Sequence, residues 1–76
     1  MNTLETNREL DRLFTYHPPV GSQPQRYEDI RAVGREMARI ILWSCPRCAD
    51  TDQAVLKVRE AVMMANAAIA CNEERV

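Results

Sequence analysis

The chain has 76 residues, of which 46% are hydrophobic and 28% are charged, and its formal net charge is −1. A chain of this length forms one small domain, residues 1–76, and the near-neutral charge excludes a protein that reaches DNA or a membrane by bulk electrostatics. The longest apolar run, Ile40 to Trp43, is too short to span a bilayer. Only two glycines interrupt a composition rich in good helix formers, so the predicted fold class is all-α.

The first predicted element is a short helix over residues 7–14. Thr6 is its predicted N-cap and Glu9 completes a capping box. Two prolines end the helix at the segment Phe14 to Pro19, which also carries two aromatic rings and an imidazole. Such a segment is rigid. It either braces the N-terminal helix or forms the wall of a ligand site.

Two long helices follow, over about residues 24–44 and 51–72. Apolar residues recur at three- and four-residue steps in both. A hinge of five residues separates them, with Asp50 offering the second N-cap, so the helices must run antiparallel as a hairpin. The predicted core stripes are Tyr27, Ile30, Val33, Met37, Ile40 or Ile41, and Trp43 or Ser44 in the first helix, and Val55, Val58, Val62, Ala65 and Ile69 in the second.

The C-terminal half of the second helix is apolar on every side. From Ala61 to Cys71 only Asn66 is polar. A helix that is apolar all round must be covered all round, which predicts a homo-oligomer with this segment at a subunit interface. An exposed alanine-rich face is the alternative. Asn66 either sets the register between subunits or contacts a ligand.

The chemistry-bearing residues do not predict catalysis or a metal. Cys45 and Cys48 form a CxxC pair, but a structural zinc needs four ligands and Cys71 lies at the far end of the hairpin. We expect Cys45 to pack under the hairpin turn. His17 has no nucleophile and acid beside it that would indicate a general base. Three cysteines without an export signal favour a reducing cytoplasm.

Arg31, Arg35 and Arg39 lie on one face of the first long helix. Neighbouring acids at positions 28, 29 and 36 allow a solvated, ion-paired row. If the row instead faces the segment around Tyr16, rings would stack on bases and arginines would hold phosphates. The sequence leaves both readings open.

An ordered set of motifs covers residues 14–72: Tyr16-His17-Pro18-Pro19, Arg26-Tyr27-Glu28, Ile30-Arg31, Cys45-Pro46, Glu60-Ala61-Val62-Met63 and Ala65-Asn66-Ala67-Ala68-Ile69-Ala70. This set resembles the phage anti-CBASS cyclic-oligonucleotide sponge family, whose hairpin domain is shared with the phage Thoeris anti-defence sponges. The Thoeris relatives usually carry an inserted domain that this chain lacks, so the anti-CBASS type is the better match.

The resemblance implies a compact homohexamer in the host cytoplasm. It would bind cyclic dinucleotides made by CBASS cyclases and sequester them without cleavage, so that the effector is not activated. Some members also bind cyclic trinucleotides at a separate site. The family often has arginine after the Ala-Ile-Ala run, where this chain has Cys71. If that arginine serves the trinucleotide site, the resemblance implies dinucleotide binding here but leaves trinucleotide binding open. By position, Tyr16 matches the family's base-stacking tyrosine and Arg31 its basic ligand contact.

These observations predict a non-enzymatic sponge with no cofactor, no metal site and no affinity for DNA or membranes. The predicted ligand-binding residues are Tyr16, His17, Pro18, Arg26, Arg31 and Arg35. The rigid segment is thus predicted to be a ligand clamp, with His17, Pro18 and Pro19 shaping the wall of the site. The alternative is an oligomeric helical module that binds a host protein. A DNA-binding regulator is disfavoured by the net charge, and a phosphodiesterase by the lack of catalytic groups.

Overall fold

A computed structural model of the chain describes residues 3–73, with side chains from residue 6 onward. This part of the chain is all-helical. It consists of α1 (Thr3–Phe14), α2 (Gln23–Ser44) and α3 (Ala49–Asn72), in that order. The predicted all-α class, with a short leading helix before a hairpin of two long helices, is confirmed.

The helix starts differ from those predicted. Because α1 begins at Thr3, Thr6 lies inside the helix and is not an N-cap, and Glu9 accepts a hydrogen bond from Arg12 instead of closing a capping box. Helix α3 begins at Ala49 with Cys48 as its N-cap, two residues before the predicted start. The carbonyl of Cys48 accepts a hydrogen bond from the N–H of Asp52 at 3.0 Å, so Asp50 lies inside the first turn of α3 and is not its N-cap.

The antiparallel hairpin is fixed at both of its ends. At the turn, Thr51 is buried and its hydroxyl donates to the carbonyl of Pro46. At the open end, the first turn of α2 meets the residue that follows α3: Gln23 Nε2 donates to Glu73 Oε1 at 2.9 Å. Pro24 sits in that first turn, where the missing N–H of proline costs no helical hydrogen bond.

Helix α2 faces α3 with smaller residues than the predicted stripe. The half-buried positions on its inner side are Ile30, Gly34, Ala38 and Ile41, whereas Val33 and Met37 are 70% and 56% exposed. A Cβ added to Gly34 would overlap Val62 Cγ2. The absent side chain therefore lets the helices approach closely, and this rotates the larger residues of α2 outward. The predicted α3 stripe, by contrast, is half-buried throughout.

Helix α1 packs against the C-terminal part of α3. Arg12 donates to Asn72 as well as to Glu9. The segment after α1 turns back on the helix, because His17 Nε2 lies 2.8 Å from the carbonyl oxygen of Arg12. A carbonyl oxygen only accepts, so Nε2 carries the proton and His17 satisfies one of the free carbonyls at the end of α1. The segment thus braces the N-terminal helix.

No hydrophobic residue is fully buried in the described part of the chain; Gln23 and Thr51 are the buried side chains. The molecule measures 50 × 31 × 14 Å, so its helices form a layer little thicker than one helix. Its accessible surface of 6255 Å² exceeds by about 1,500 Å² the area of a compact folded monomer of this mass. None of the described helices combines the length and hydrophobicity required to cross a bilayer.

Candidate functional site

The first turns of α2 and the loop before them form a shallow depression of about 430 Å³. The residues that line it are Pro19, Pro24, Gln25, Tyr27, Glu28 and Arg31. Tyr27 and Arg31 are four residues apart and so lie on the same face of α2. Two prolines with fixed φ angles, Pro19 in the loop and Pro24 in the first turn of α2, also line it. The depression therefore combines an aromatic ring, a carboxylate and a guanidinium on a rigid frame.

The predicted arginine row is only partly neutralised by neighbouring acids. Arg39 Nε donates to Glu36 Oε2 at 2.9 Å, and this pairing lowers the pKa of Glu36. Asp29 accepts from Gln25 Nε2 at 2.8 Å instead of from an arginine. Among the described residues, Arg31 and Arg35 form no ion pair with any carboxylate. Their guanidinium groups are accordingly available to an anionic ligand.

Arg26 is engaged within the hairpin. Its Nη1 and Nη2 atoms donate to Glu73 Oε2 and Oε1 at 2.6 and 2.7 Å, and its Nε donates to Ser22 Oγ at 3.1 Å. The bidentate hydrogen bonds from Arg26, with a further one from Gln23, lower the pKa of Glu73 to about 2. Buried Gln23 also accepts from the Val20 N–H at 3.0 Å, which fastens the loop before α2 to the same group.

Replacing Glu73 with glutamine is expected to lower the melting temperature at neutral pH but not in strong acid. The folded-state pKa of Glu73 is about 2, below its ordinary value of 4.5. The stabilisation is therefore fully present above about pH 4.5 and is lost as the pH falls through 2. Thermal melts of wild type and Glu73→Gln between pH 2 and 7 measure the difference. A difference that did not change with pH would contradict this assignment.

The predicted site residues do not converge within one chain. Arg31 lines the depression and Arg35 follows one turn along α2, whereas Arg26 is held by Glu73. Tyr16 is 79% exposed, His17 bonds to α1, and neither these two nor Pro18 line the depression. An open tyrosine ring beside two prolines remains free to stack on a planar group.

Sequence reasoning missed most of the depression. Pro24, Gln25, Tyr27 and Glu28 were not predicted as site residues, although Tyr27 shares the four-residue spacing of the arginine row. Pro19, which was predicted to shape the wall of the site, does line the depression. The sequence pattern assigned Tyr27 to the core stripe. Its four-residue distance from Arg31 was the feature that could have placed it in the site. The two prolines come together only because the loop folds back at Gly21, whose φ of 57° is left-handed.

The hairpin turn exposes both cysteines of the CxxC pair, so the prediction that Cys45 packs under the turn was wrong. Thr51 occupies that buried position instead. The Cys48 thiol lies 3.4 Å from the Thr51 hydroxyl, and its hydrogen bonds with the side chain and with the backbone N–H of Thr51 lower the pKa of Cys48. Across residues 3–73, no group of three or more His, Cys, Asp or Glu side chains is arranged to hold a metal ion.

The fold and site define a small helical-hairpin protein with an open, arginine-lined depression at the start of its first long helix. The chain belongs to the Acb2/Tad1 hairpin domain family, whose sequence model matches residues 6–70. No curated protein and no solved structure matches it. The resemblance to the anti-CBASS and anti-Thoeris sponges is thereby confirmed, and membership implies a sponge-like role in phage anti-defence.

Proposed function

We propose that this protein binds cyclic dinucleotide immune messengers in the host cytoplasm and sequesters them without cleavage, so that CBASS effectors are not activated. The observation that carries the proposal is the depression in which unpaired Arg31 lies with the ring of Tyr27, in a chain of the sponge family. A cyclic dinucleotide is a compact dianion with two planar bases. It requires cations for its phosphates and rings for its bases.

Each predicted residue has a role in this proposal. Arg31 holds a phosphate or a base, with Arg35 as a second cation one turn away. Tyr16 stacks on a base, and the adjacent Pro18 limits the conformational entropy lost on binding. His17 fixes the orientation of this segment through its bond to the carbonyl of Arg12. Arg26 acts indirectly, since its bidentate pair with Glu73 positions the start of α2.

The proposed site is completed by other subunits of a homo-oligomer. A surface excess of about 1,500 Å² per chain is the amount that an obligate homo-oligomeric interface buries. Met63 and Met64 on α3, 58% and 70% exposed, lie in the segment predicted to be an interface. The family resemblance favours six subunits, which would let Tyr16 of one chain face Arg31 of another.

Light scattering tests the assembly. A hexamer gives a mass six times the 8.7 kDa of the chain, and we expect this species at micromolar concentration. A monomer of 8.7 kDa under those conditions would contradict the proposed homo-oligomer. The measurement needs no ligand, so it is independent of the binding test.

Binding itself is tested by thermal shift. A ligand that binds the folded state at 100 times its dissociation constant stabilises it by about 2.7 kcal/mol, which raises the melting temperature by several degrees. Cyclic di- and trinucleotides are compared with linear dinucleotides of the same bases as matched controls. We expect a shift with cyclic dinucleotides that the linear controls do not produce. If no cyclic nucleotide produced a shift, a host-protein partner would replace the messenger as the ligand.

A further inference from the structure

We infer that Glu28 makes the proposed site selective for guanine bases over adenine bases. The inference rests on the proposed function and concerns the depression at the start of α2. Glu28 lines this depression between Tyr27 and Arg31. Among the described residues, no ion pair joins its carboxylate to Arg31 or to any other cation.

An unpaired carboxylate is electrostatically unfavourable in a site that binds a dianion. It repels phosphate and weakens binding unless it accepts hydrogen bonds from another part of the ligand. A carboxylate only accepts, through two oxygens at fixed separation. The ligand groups that can satisfy Glu28 are therefore a ribose 2′-hydroxyl, which engages one oxygen, or a pair of N–H donors on a base edge, which engages both oxygens at once.

Guanine presents such a pair. Its N1–H and N2–H₂ groups lie side by side and match the two oxygens of a carboxylate, while O6 and N7 of the same base accept from a guanidinium. Glu28 and Arg31 are three residues apart on α2, so both side chains reach the same ligand face. Adenine offers one donor group, N6–H₂, beside the N1 lone pair, which would face the second carboxylate oxygen.

The other polar side chain in the depression does not favour adenine. An amide recognises adenine by donating to N7 and accepting from N6. The amide nitrogen of Gln25 already donates to Asp29 Oδ1 at 2.8 Å, which holds this side chain along α2. The charged groups of the depression that form no ion pair among the described residues are thus the carboxylate of Glu28 and the guanidinium of Arg31, a pair that matches the donors and acceptors of guanine.

Calorimetric titration with cyclic di-GMP, cyclic di-IMP and cyclic di-AMP tests the inference on wild type, Glu28→Gln and the matched control Glu60→Gln. Inosine keeps N1–H and O6 but lacks the N2 amine. We expect wild type to bind cyclic di-GMP roughly 5- to 150-fold more tightly than cyclic di-AMP, with cyclic di-IMP between them. Glu28→Gln is expected to abolish this preference while cyclic di-AMP affinity stays equal or rises, and Glu60→Gln to retain it.

The outcomes separate this inference from the proposed function. If wild type binds cyclic dinucleotides with no preference for guanine, or if Glu28→Gln weakens all three ligands by the same factor, Glu28 does not read the base and the sponge proposal stands. If wild type binds none of the three, the proposed function fails and the inference fails with it. Glu28 is exposed, so its replacement leaves the fold intact, and the inosine comparison on wild type needs no variant.

Discussion

Replacing Gly34 with leucine is expected to prevent α2 and α3 from packing and to abolish cooperative unfolding of the hairpin. Even a Cβ at this position would overlap Val62 Cγ2. Val62 is β-branched and has essentially one χ1 rotamer in a helix, so it cannot swing aside and the helices must separate. A chain with no buried hydrophobic residue among those described has little packing left to offset that separation.

The smaller change Gly34→Ala tests the close packing through the sign of its effect on the free energy of unfolding. In an open helix position this substitution stabilises by about 1 kcal/mol, whereas overpacking a tight contact costs about 1–3 kcal/mol. We expect a net loss of up to about 2 kcal/mol in denaturant unfolding. Val62→Ala in the Gly34→Ala background should recover part of it, because the clash is then removed.

A control on the same helix isolates the propensity term. Ala32 is exposed on α2, and Ala32→Gly should cost only the helix propensity, about 1 kcal/mol. A Gly34→Ala protein more stable than wild type would show that Gly34 behaves as an exposed helical residue, and the close approach of α2 and α3 would be wrong.

Alanine at Tyr16 or Arg31 is expected to weaken cyclic dinucleotide binding strongly. Stacking on an aromatic ring contributes about 1–3 kcal/mol per base, so Tyr16→Ala should lower affinity roughly 5- to 150-fold. A hydrogen bond to a charged group contributes about 1.5–3 kcal/mol, so Arg31→Ala should lower it roughly 10- to 150-fold. Calorimetry on each variant measures both effects.

Melting temperatures measured without ligand show whether the two variants remain folded. Tyr16 is 79% exposed and Arg31 pairs with no described carboxylate, so melting temperatures without ligand should match that of wild type. Arg59, exposed on α3 and outside the depression, provides a matched control as Arg59→Ala. Unchanged affinity in a protein carrying both Tyr16→Ala and Arg31→Ala would remove these residues from the site.

The helices were predictable because their signals are local. Apolar steps and prolines defined α2 and α3 to within two residues at each end. The inner face of α2 was not predictable in the same way. Hydrophobicity alone assigns Val33 and Met37 to the core, whereas the helices pack through Gly34 because backbone proximity outweighs side-chain size there. The contact between Gly34 and Val62 shows which face of α2 packs against α3, and it is known only from the structure.

The candidate site, like the fold, was predictable only in the part that depends on local sequence. Arg31 was predictable from its spacing and from the family resemblance. The engagement of Arg26 was not, because its partner Glu73 lies 47 residues away and is brought near by the hairpin. Similarly, His17 looked like a ligand residue by composition, but its nearest acceptor is the carbonyl of Arg12. Contacts made only in the folded chain, with a distant residue for Arg26 and with a nearby carbonyl for His17, decide which polar residues are free to bind a ligand.

Recovery of the bound ligand shows whether the protein sequesters a cyclic dinucleotide without cleaving it. The purified protein is mixed with a stoichiometric amount of a cyclic dinucleotide, freed of unbound ligand, heated to denature it, and the released nucleotide is identified by chromatography. We expect the intact cyclic dinucleotide in proportion to the protein, as a sponge requires. Recovery of linear dinucleotide would indicate cleavage, and recovery of no nucleotide would show that the protein does not sequester this messenger.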